Sequence, residues 1–457
     1  MIFKPEQFST SSLRSSPLGT KICQVLAATL NQADAGMCLR SHLQVESDNL
    51  LIDTSRTELA IFNNVYLVGV GKAALPMTST MIDLIGKRIT SGVVLTKNGY
   101  TGCMDLVDDR IEIFEAGHPI PDQRNIKAST KLLTKMSHLN TDDLVICLIS
   151  GGGSALLTKP AHGITLADLQ QTNNVLLRCG ASIDDINTVR KHLDELKGGG
   201  LARVLYPAQI ITLILSDVPG DRLHSIASGP TVPDPTTFAD AYKVLTKFGI
   251  LDQVPDCVLN HLNEGLSREI PETLKPGSYY FEHTTNHLVG SNSQLVTAAA
   301  QVANSTGFTT ELLPVMLHGE ASLAGQELVD YAKSFGKHTK LTQPLCLIAG
   351  GETTVTVNGL GKGGRNQELV LGAVKSLASA ENLILISQAT DGGDGPTDAA
   401  GAVATQQTYQ RGLQKALDPQ YYLTRNDSYS YFDSLDDLIK IGPTLTNLND
   451  LVFVFSS

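Results

Sequence analysis

LVICLISGGGSAL, Leu144–Leu156, joins six apolar residues without polar alternation to three consecutive glycines and a serine. A strand apolar on both sides is covered on both faces, as in a parallel sheet. Glycines at its end permit a tight turn into a helix. The same order recurs along the chain. Val65–Val68 runs into Gly69, Gly71, Lys72 and a helical stretch from Ala73; Ile210–Leu215 runs into SDVPGD, Leu345–Ala349 into GGET, and Leu383–Ser387 into QATDGGDG. Strands alternating with helices predict a mostly parallel α/β sheet, in which ligands bind beyond the carboxyl ends of the strands. A single glycine loop is ordinary turn chemistry, but five together point to ligand clefts.

The chain has 457 residues, 40 of them glycine, and is 42% hydrophobic and 18% charged. That material supports sizeable cores in two or three domains. A formal net charge of −11 disfavours a nucleic-acid partner. No apolar run approaches the roughly 18 residues of a membrane span, so no membrane partner is expected. The seven cysteines lie far apart with no C-x-x-C, which predicts neither a disulfide framework nor a zinc site and points to the cytoplasm. MIFKPEQFSTSSLRSSP at the N-terminus lacks a secretory apolar core and reads as a short arm. PETLKPGSYYFEH, Pro271–His283, breaks the helical pattern around Leu245–Leu266 and divides the chain into domains 1–283 and 284–457.

Five constellations carry chemistry. VGVGKAALP places Lys72 after Gly71 at a strand-to-helix turn, where backbone N–H groups and an ammonium attract an anion. It is not a Walker A loop, since Tyr66 stands where the first glycine is needed and Ala73 replaces the Ser/Thr. Gly151, Gly152, Gly153 and Ser154 form a second anion-attracting turn, which fails the G-x-G-x-x-G fingerprint at Leu156. Asp217 and Asp221 in SDVPGD follow an apolar strand and suit a general base, a metal ligand or a plain turn cap. GGETTVTVNGLGKGGRNQELVLGAV reads as strand, hairpin, strand and a glycine loop that lets Arg365 approach a phosphoryl or carboxylate group. Asn366 follows it at the helix start. Asp391, Asp394 and Asp398 crowd into TDGGDGPTD, where the first two resemble oxygen donors for Mg²⁺. His118, His192 and His224 are scattered and individually weak. Cations, glycine turns and strand-end carboxylates together are the inventory of phosphoryl transfer to a small anion.

The motifs VGVGKAA, EAGHPIPD (Glu115–Asp122), CLISGGGSALL, INTVRKHLDELKGGGLA, LSDVPGDRLHSIASGPTVPDPTTF, GGETTVTVNGLGKGGRNQELVLG, TDGGDGPTDAAGA and GPTLTNLNDL follow in one order over nearly the whole chain. In them the sequence resembles the class II glycerate kinases, a two-domain family with a Rossmann-like N-terminal domain and a smaller C-terminal α/β MOFRL domain. The resemblance implies ATP-dependent phosphorylation of D-glycerate at its 2-hydroxyl, with Mg²⁺ and an active site between the domains. It implies catalytic roles for Lys72, Asp217, Arg365 and Asp391: the two cations hold carboxylate and γ-phosphate, and one aspartate orients or deprotonates the hydroxyl. Implied binding positions are Gly71, Gly151, Gly152, Gly153, Ser154, Asn187, Arg190, Lys191, Asn292, Gly350, Gly351, Glu352 and Asn366. Implied metal ligands are Asp221 and Asp394. A homo-oligomer stays open.

Leu445 departs from the family pattern, which has glycine at that point of the closing motif. Two alternatives stand beside the kinase. A hydroxypyruvate reductase would need a dinucleotide site, and the missing G-x-G-x-x-G counts against it. A noncatalytic sensor of small phosphorylated acids would keep the folds without turnover.

Overall fold

The computed structural model describes residues 2–103, 108–313, 316–338 and 343–456. All five apolar runs quoted above are strands. The chain divides into two compact units, Cys38–Val289 and Met1–Met37 with Gly290–Ser457.

The large sheet of the unit Cys38–Val289 has six strands: β1 (Asn64–Val70), β2 (Ile89–Lys97), β3 (Ile111–Ala116), β4 (Asp143–Ile149), β5 (Gln209–Leu215) and β6 (Thr284–Gly290). Their order is β3-β2-β1-β4-β5-β6, and the pairs from β3 to β5 are parallel. This is the doubly wound arrangement, whose ligand crevice opens where the strand order reverses, between β1 and β4. Those two strands run level, Val70 beside Ile149, so the turns after both emerge together. The absence of polar alternation is explained by burial on both faces: all seven residues of β4 are buried. A second apolar cluster unites the helices Leu166–Arg178, Ile183–His192 and Phe238–Lys247. The expected helical pattern around Leu245–Leu266 is two helices, because Gly249 adopts φ +62° and Pro255 precedes the second helix, Asp256–Leu266.

The other unit carries β7 (Thr309–Leu312), β8 (Leu345–Gly351), β9 (Leu383–Ala389), β10 (Gly401–Thr405), β11 (Leu438–Ile439) and β12 (Asp450–Ser456). Their order is β7-β8-β12-β9-β10-β11. Only β7 and β8 are parallel; β12 runs antiparallel between β8 and β9, with Asp450 opposite both Gly351 and Ala389. The amino end of β12 therefore shares an edge with the carboxyl ends of β8 and β9.

Two expectations differ from these units. Residues 284–289 extend the first sheet, where the Ile210 N–H donates to His283 O at 2.8 Å. Residues 1–37, expected to belong to the N-terminal domain with 1–17 as a short arm, pack with the C-terminal unit instead. Phe8, Leu13, Ile22, Leu26 and Leu30 are buried, and the Ser12 N–H and Oγ donate to the Asp437 carboxylate at 2.7 and 2.8 Å. The helix Gly19–Gln32 lies along Asn292–Ser305. The expected hairpin after β8 is absent. The Thr354 N–H donates to Gly319 O, and Asn426 Oδ1 accepts from the Asn358 and Gly359 N–H groups, so this backbone is bonded outward to other segments.

Candidate functional site

At the switch point the two glycine turns are stitched together. The Ser150 N–H donates to Val70 O at 3.0 Å, the Lys72 N–H to Gly151 O at 2.9 Å, and the Ala73 N–H to Ser150 Oγ at 3.0 Å. Gly71 has φ +132°, and a Cβ there would lie 2.1 Å from Ser150 Oγ, so no larger residue fits. Gly152 has φ +85°; a Cβ on it would stand 3.1 Å from the His118 ring and 3.5 Å from Lys72 Cγ. Lys72, His118 and the Gly151–Gly153 turn thus meet at one point. Beyond them, Ser154 Oγ and Ser228 Oγ are 2.8 Å apart, and Ser228 Oγ donates to Asn187 Oδ1 at 3.3 Å. Ala227 and Ser228 hold φ of +50° and +60°, strained for non-glycine residues and characteristic of functional turns. A Cβ on Gly153 would lie 2.6 Å from Ala227 Cβ, so Gly153 permits that close approach.

The charges around this turn are unequal in kind. Arg190, on the helix Ile183–His192, donates from Nε to Asn173 Oδ1 at 2.7 Å, and no carboxylate among the described residues pairs with it. Burial lowers its pKa with nothing to offset the effect. Arg190, Ser154 and Asn173 line one cavity of about 20 Å³, room for a single water. His118 is pushed down to about 4, by burial first and then by Lys72, Lys97 and Arg190. Lys191 behaves differently. Its Nζ meets Asp234 Oδ1 at 2.5 Å with both side chains out of solvent, and Asp234 accepts further bonds from Thr236 and Thr273. The binding role expected of Lys191 is therefore corrected: successive helical residues point about 100° apart, and this one turns into the core. Asp217 is half-buried after β5, and Asp221 sits four residues on in a turn with φ +52°.

The Gly290–Ser457 part of the second unit gathers Arg365 between carboxylates. Arg365 opens the helix Arg365–Ala378. It donates from Nε and Nη2 to Asp450 at 2.5 and 3.0 Å, and from Nη1 to Glu352 at 2.6 Å. That occupies three of its five N–H donors in a bidentate fork plus one further bond. Burial works against the cation, but Asp450, then Glu352 and Asp394, more than offset it and hold its pKa above the ordinary arginine value. Burial raises the Asp450 carboxyl, opposed by Arg365. Asp391 adds to the same negative field and accepts from the Gly393 N–H at 3.2 Å.

Several expected binding residues of this unit are structural fasteners. Asn292 Nδ2 donates to Leu448 O and Asp450 O, and its Oδ1 occupies the space a Gly350 Cβ would need, 1.9 Å away. Gly351, at φ +148°, lets Leu317 O approach within 2.3 Å of its own Cβ position. Asn366 is 1% exposed, with Oδ1 accepting from Ser387 Oγ and Nδ2 directed at Asp394.

Of the residues expected to hold Mg²⁺, Asp394 does not fit it. Asp394 is 2% exposed and its two oxygens accept the Asn366 and Gln367 N–H groups at 3.1 and 2.9 Å, capping the helix that Arg365 opens. Burial lifts this carboxyl to about 6, against those N–H bonds. Among the described residues no group of three acidic, histidine or cysteine side chains could hold a metal ion.

Reading the sequence did not single out Asp450 or Ser228, and it rated His118 only as one of three scattered histidines. Asp450 stands at the start of an antiparallel strand, so its approach to the carboxyl ends of β8 and β9 follows from pairing between segments remote in sequence. The expected absence of a dinucleotide fingerprint also needs correction. Gly69, Gly71 and Ala74 spell its G-x-G-x-x-A variant between β1 and the helix Ala74–Ile85. Against a dinucleotide, β2 ends at Lys97, where the ribose-binding acidic residue would be expected.

Two family profiles match the chain: a domain of unknown function (DUF4147) over residues 21–263 and the MOFRL family over residues 345–450. The chain is 42% identical to the D-glycerate 2-kinase of Thermotoga maritima over 391 residues, 85% of this chain and 90% of the relative. It is 39% identical to the glycerate 2-kinase of Pyrococcus horikoshii over 437 residues, 94% and 95% of the two chains. The crystal structure of glycerate kinase from Thermotoga maritima superposes with a TM-score of 0.82 at 38% identity, covering 96% of this chain and 99% of that one.

Proposed function

The chain belongs to the glycerate 2-kinase family, and we propose that it transfers the γ-phosphoryl group of ATP to the 2-hydroxyl of D-glycerate, giving 2-phosphoglycerate and ADP. The observation that carries the reading is Arg190, a half-buried guanidinium with no carboxylate partner among the described residues, placed with Lys72 and a glycine turn at the switch point of a doubly wound sheet. A partly desolvated cation without a carboxylate beside it gains from an anion brought to it.

In this reading Lys72, Arg190 and the Gly151–Gly153 N–H groups take up anionic groups of the substrates, with Ser154, Ser228 and Asn187 offering hydroxyl and amide contacts. Arg365 is held rigid by Asp450 and Glu352, and its two remaining N–H donors serve the migrating phosphoryl group. Asp217 and Asp391 remain candidates for contacts with the hydroxyl or the nucleotide. No step is assigned to a metal ligand, because Asp394 is committed to capping the helix that Arg365 opens.

The test is ADP release with D-glycerate and Mg-ATP, followed by NMR of the product. Formation of 2-phosphoglycerate supports the reading; 3-phosphoglycerate, or no glycerate-dependent ADP, overturns it. The reductase alternative draws on the same G-x-G-x-x-A turn. Oxidation of NAD(P)H by hydroxypyruvate without ATP would favour it instead.

A further inference from the structure

We infer that His118 is a further catalytic residue, the group that accepts the proton of the attacking hydroxyl. The assignment rests on the proposed kinase reaction and deepens it. His118 lies in the turn after β3, among the turns that also carry Lys72 and Gly152. The Gly152 backbone approaches the Nε2 and Cδ2 side of its ring, which a side chain on that glycine would strike. Neither ring nitrogen has a hydrogen-bond partner among the described residues. Histidines with a structural role in a folded domain usually have one; His192 is an example, with Nδ1 2.8 Å from Thr188 O and Nε2 3.3 Å from Glu272. The charged groups felt by His118 are all cations: Lys72, Lys97 and Arg190.

A protonated ring would add a fourth positive charge to this cluster. Burial and the three cations hold the imidazole neutral, with a pKa near 4, so a lone pair is available throughout the physiological range. A free base that weak removes few protons in the ground state. Phosphoryl transfer does not require that, because its loose transition state delays proton loss. When glycerate carboxylate and ATP phosphates neutralise Lys72 and Arg190, the proton affinity of the ring rises towards the operating pH. The step balances. The hydroxyl oxygen bonds to the γ-phosphorus, and the bond from that phosphorus to the β,γ-bridging oxygen breaks. ADP leaves with the electron pair. The hydroxyl proton passes to the imidazole, which releases it to water.

The experiment compares the full-length wild type, His118→Ala and His118→Gln in ADP release from D-glycerate and Mg-ATP over the acid-to-neutral range, with imidazole added back to the alanine variant. Glycerate binding is measured by calorimetry. His118→Ala should lose about 100-fold in kcat, the usual size of a general-base contribution. Its glycerate affinity should stay within about threefold, and imidazole should restore part of the loss. In the wild type the acid limb of kcat should lie at higher pH than that of kcat/KM, and this separation should vanish in His118→Gln. A kcat in His118→Ala close to wild type, a loss carried by KM alone, or an unchanged pH profile in His118→Gln overturns the assignment. A wild type without glycerate-dependent ADP release overturns the proposed function and this role together. An active wild type with an equally active His118→Ala overturns this role alone.

Discussion

Arg190 and Arg365 are both half-buried arginines near turns rich in glycine, yet they are built in opposite ways. Arg190 rests on a neutral amide and is destabilised by burial with no carboxylate to answer it. Arg365 is gripped by Asp450 and Glu352, and its pKa rises. The difference separates two tasks that sequence reading assigns alike to any cation beside glycines. An uncompensated cation is a vacancy for an external anion, whereas a doubly paired one is a rigid donor whose direction is set in advance.

The largest effect that could break this contrast is on turnover. Lys72→Ala should lower kcat/KM about 10³-fold or more, as loss of a cation at a transferring phosphoryl group does, with an unchanged thermal midpoint. Activity within tenfold of wild type in this variant would remove the switch point from the reaction. Next in size is a contrast of stabilities. Arg365→Met takes from the buried Asp450 carboxylate the cation that grips it, which costs about 3 kcal/mol and should lower the midpoint by about 5–10 °C. Arg190→Met keeps the stem and removes an unpaired charge, so its midpoint should hold or rise. Equal losses in the two variants would show that the environments do not differ as described.

The pH dependence sharpens the Arg365 side. Asp394 titrates near 6 in the folded chain and at 3.8 as a free side chain. Below both values it is neutral in either state and contributes nothing. As pH rises between them, the unfolded chain releases the proton that the native state keeps, so stability falls with rising pH, by an amount on the order of 1–3 kcal/mol. Asp394→Asn should abolish that fall, so its midpoint should gain on the wild type between about pH 4 and pH 6. Parallel melting curves across that range would contradict the burial assigned to this carboxyl.

The smallest effect concerns Leu445, which lies in the closing motif ahead of Asp450. It is 6% exposed and adopts φ +58°, a left-handed conformation that glycine takes without strain. Both Leu445→Ala and Leu445→Gly lose the buried side chain, but only glycine relieves the backbone. Leu445→Gly should therefore be about 1 kcal/mol more stable than Leu445→Ala, the reverse of the usual order. Calorimetric melting of the pair decides it.

Much of this molecule was legible without coordinates. The apolar runs at Leu144–Ile149 and Ile210–Leu215 announce parallel strands because burial on both faces removes polar alternation, a local property of the chain. The turns at Gly71 and Gly152 were legible for a similar reason, since only glycine tolerates their backbone and close contacts. Side-chain commitments were less readable. Lys191 and Arg190 are neighbours in one motif, and nothing local says that the first pairs with Asp234, 43 positions on, while the second is left without a carboxylate. Asp394 looked like a metal ligand and proved to be a helix cap, because its two oxygens meet N–H groups nearly 30 positions earlier.

The sequence by itself determined the strands, the glycine turns and the family, because periodicity and backbone tolerance are written residue by residue. Only the tertiary structure decided which charges are compensated. Coulombic pairing depends on distances between segments remote in the chain, and those distances exist only after the sheets have brought Asp450 beside Arg365 and left His118 and Arg190 among cations.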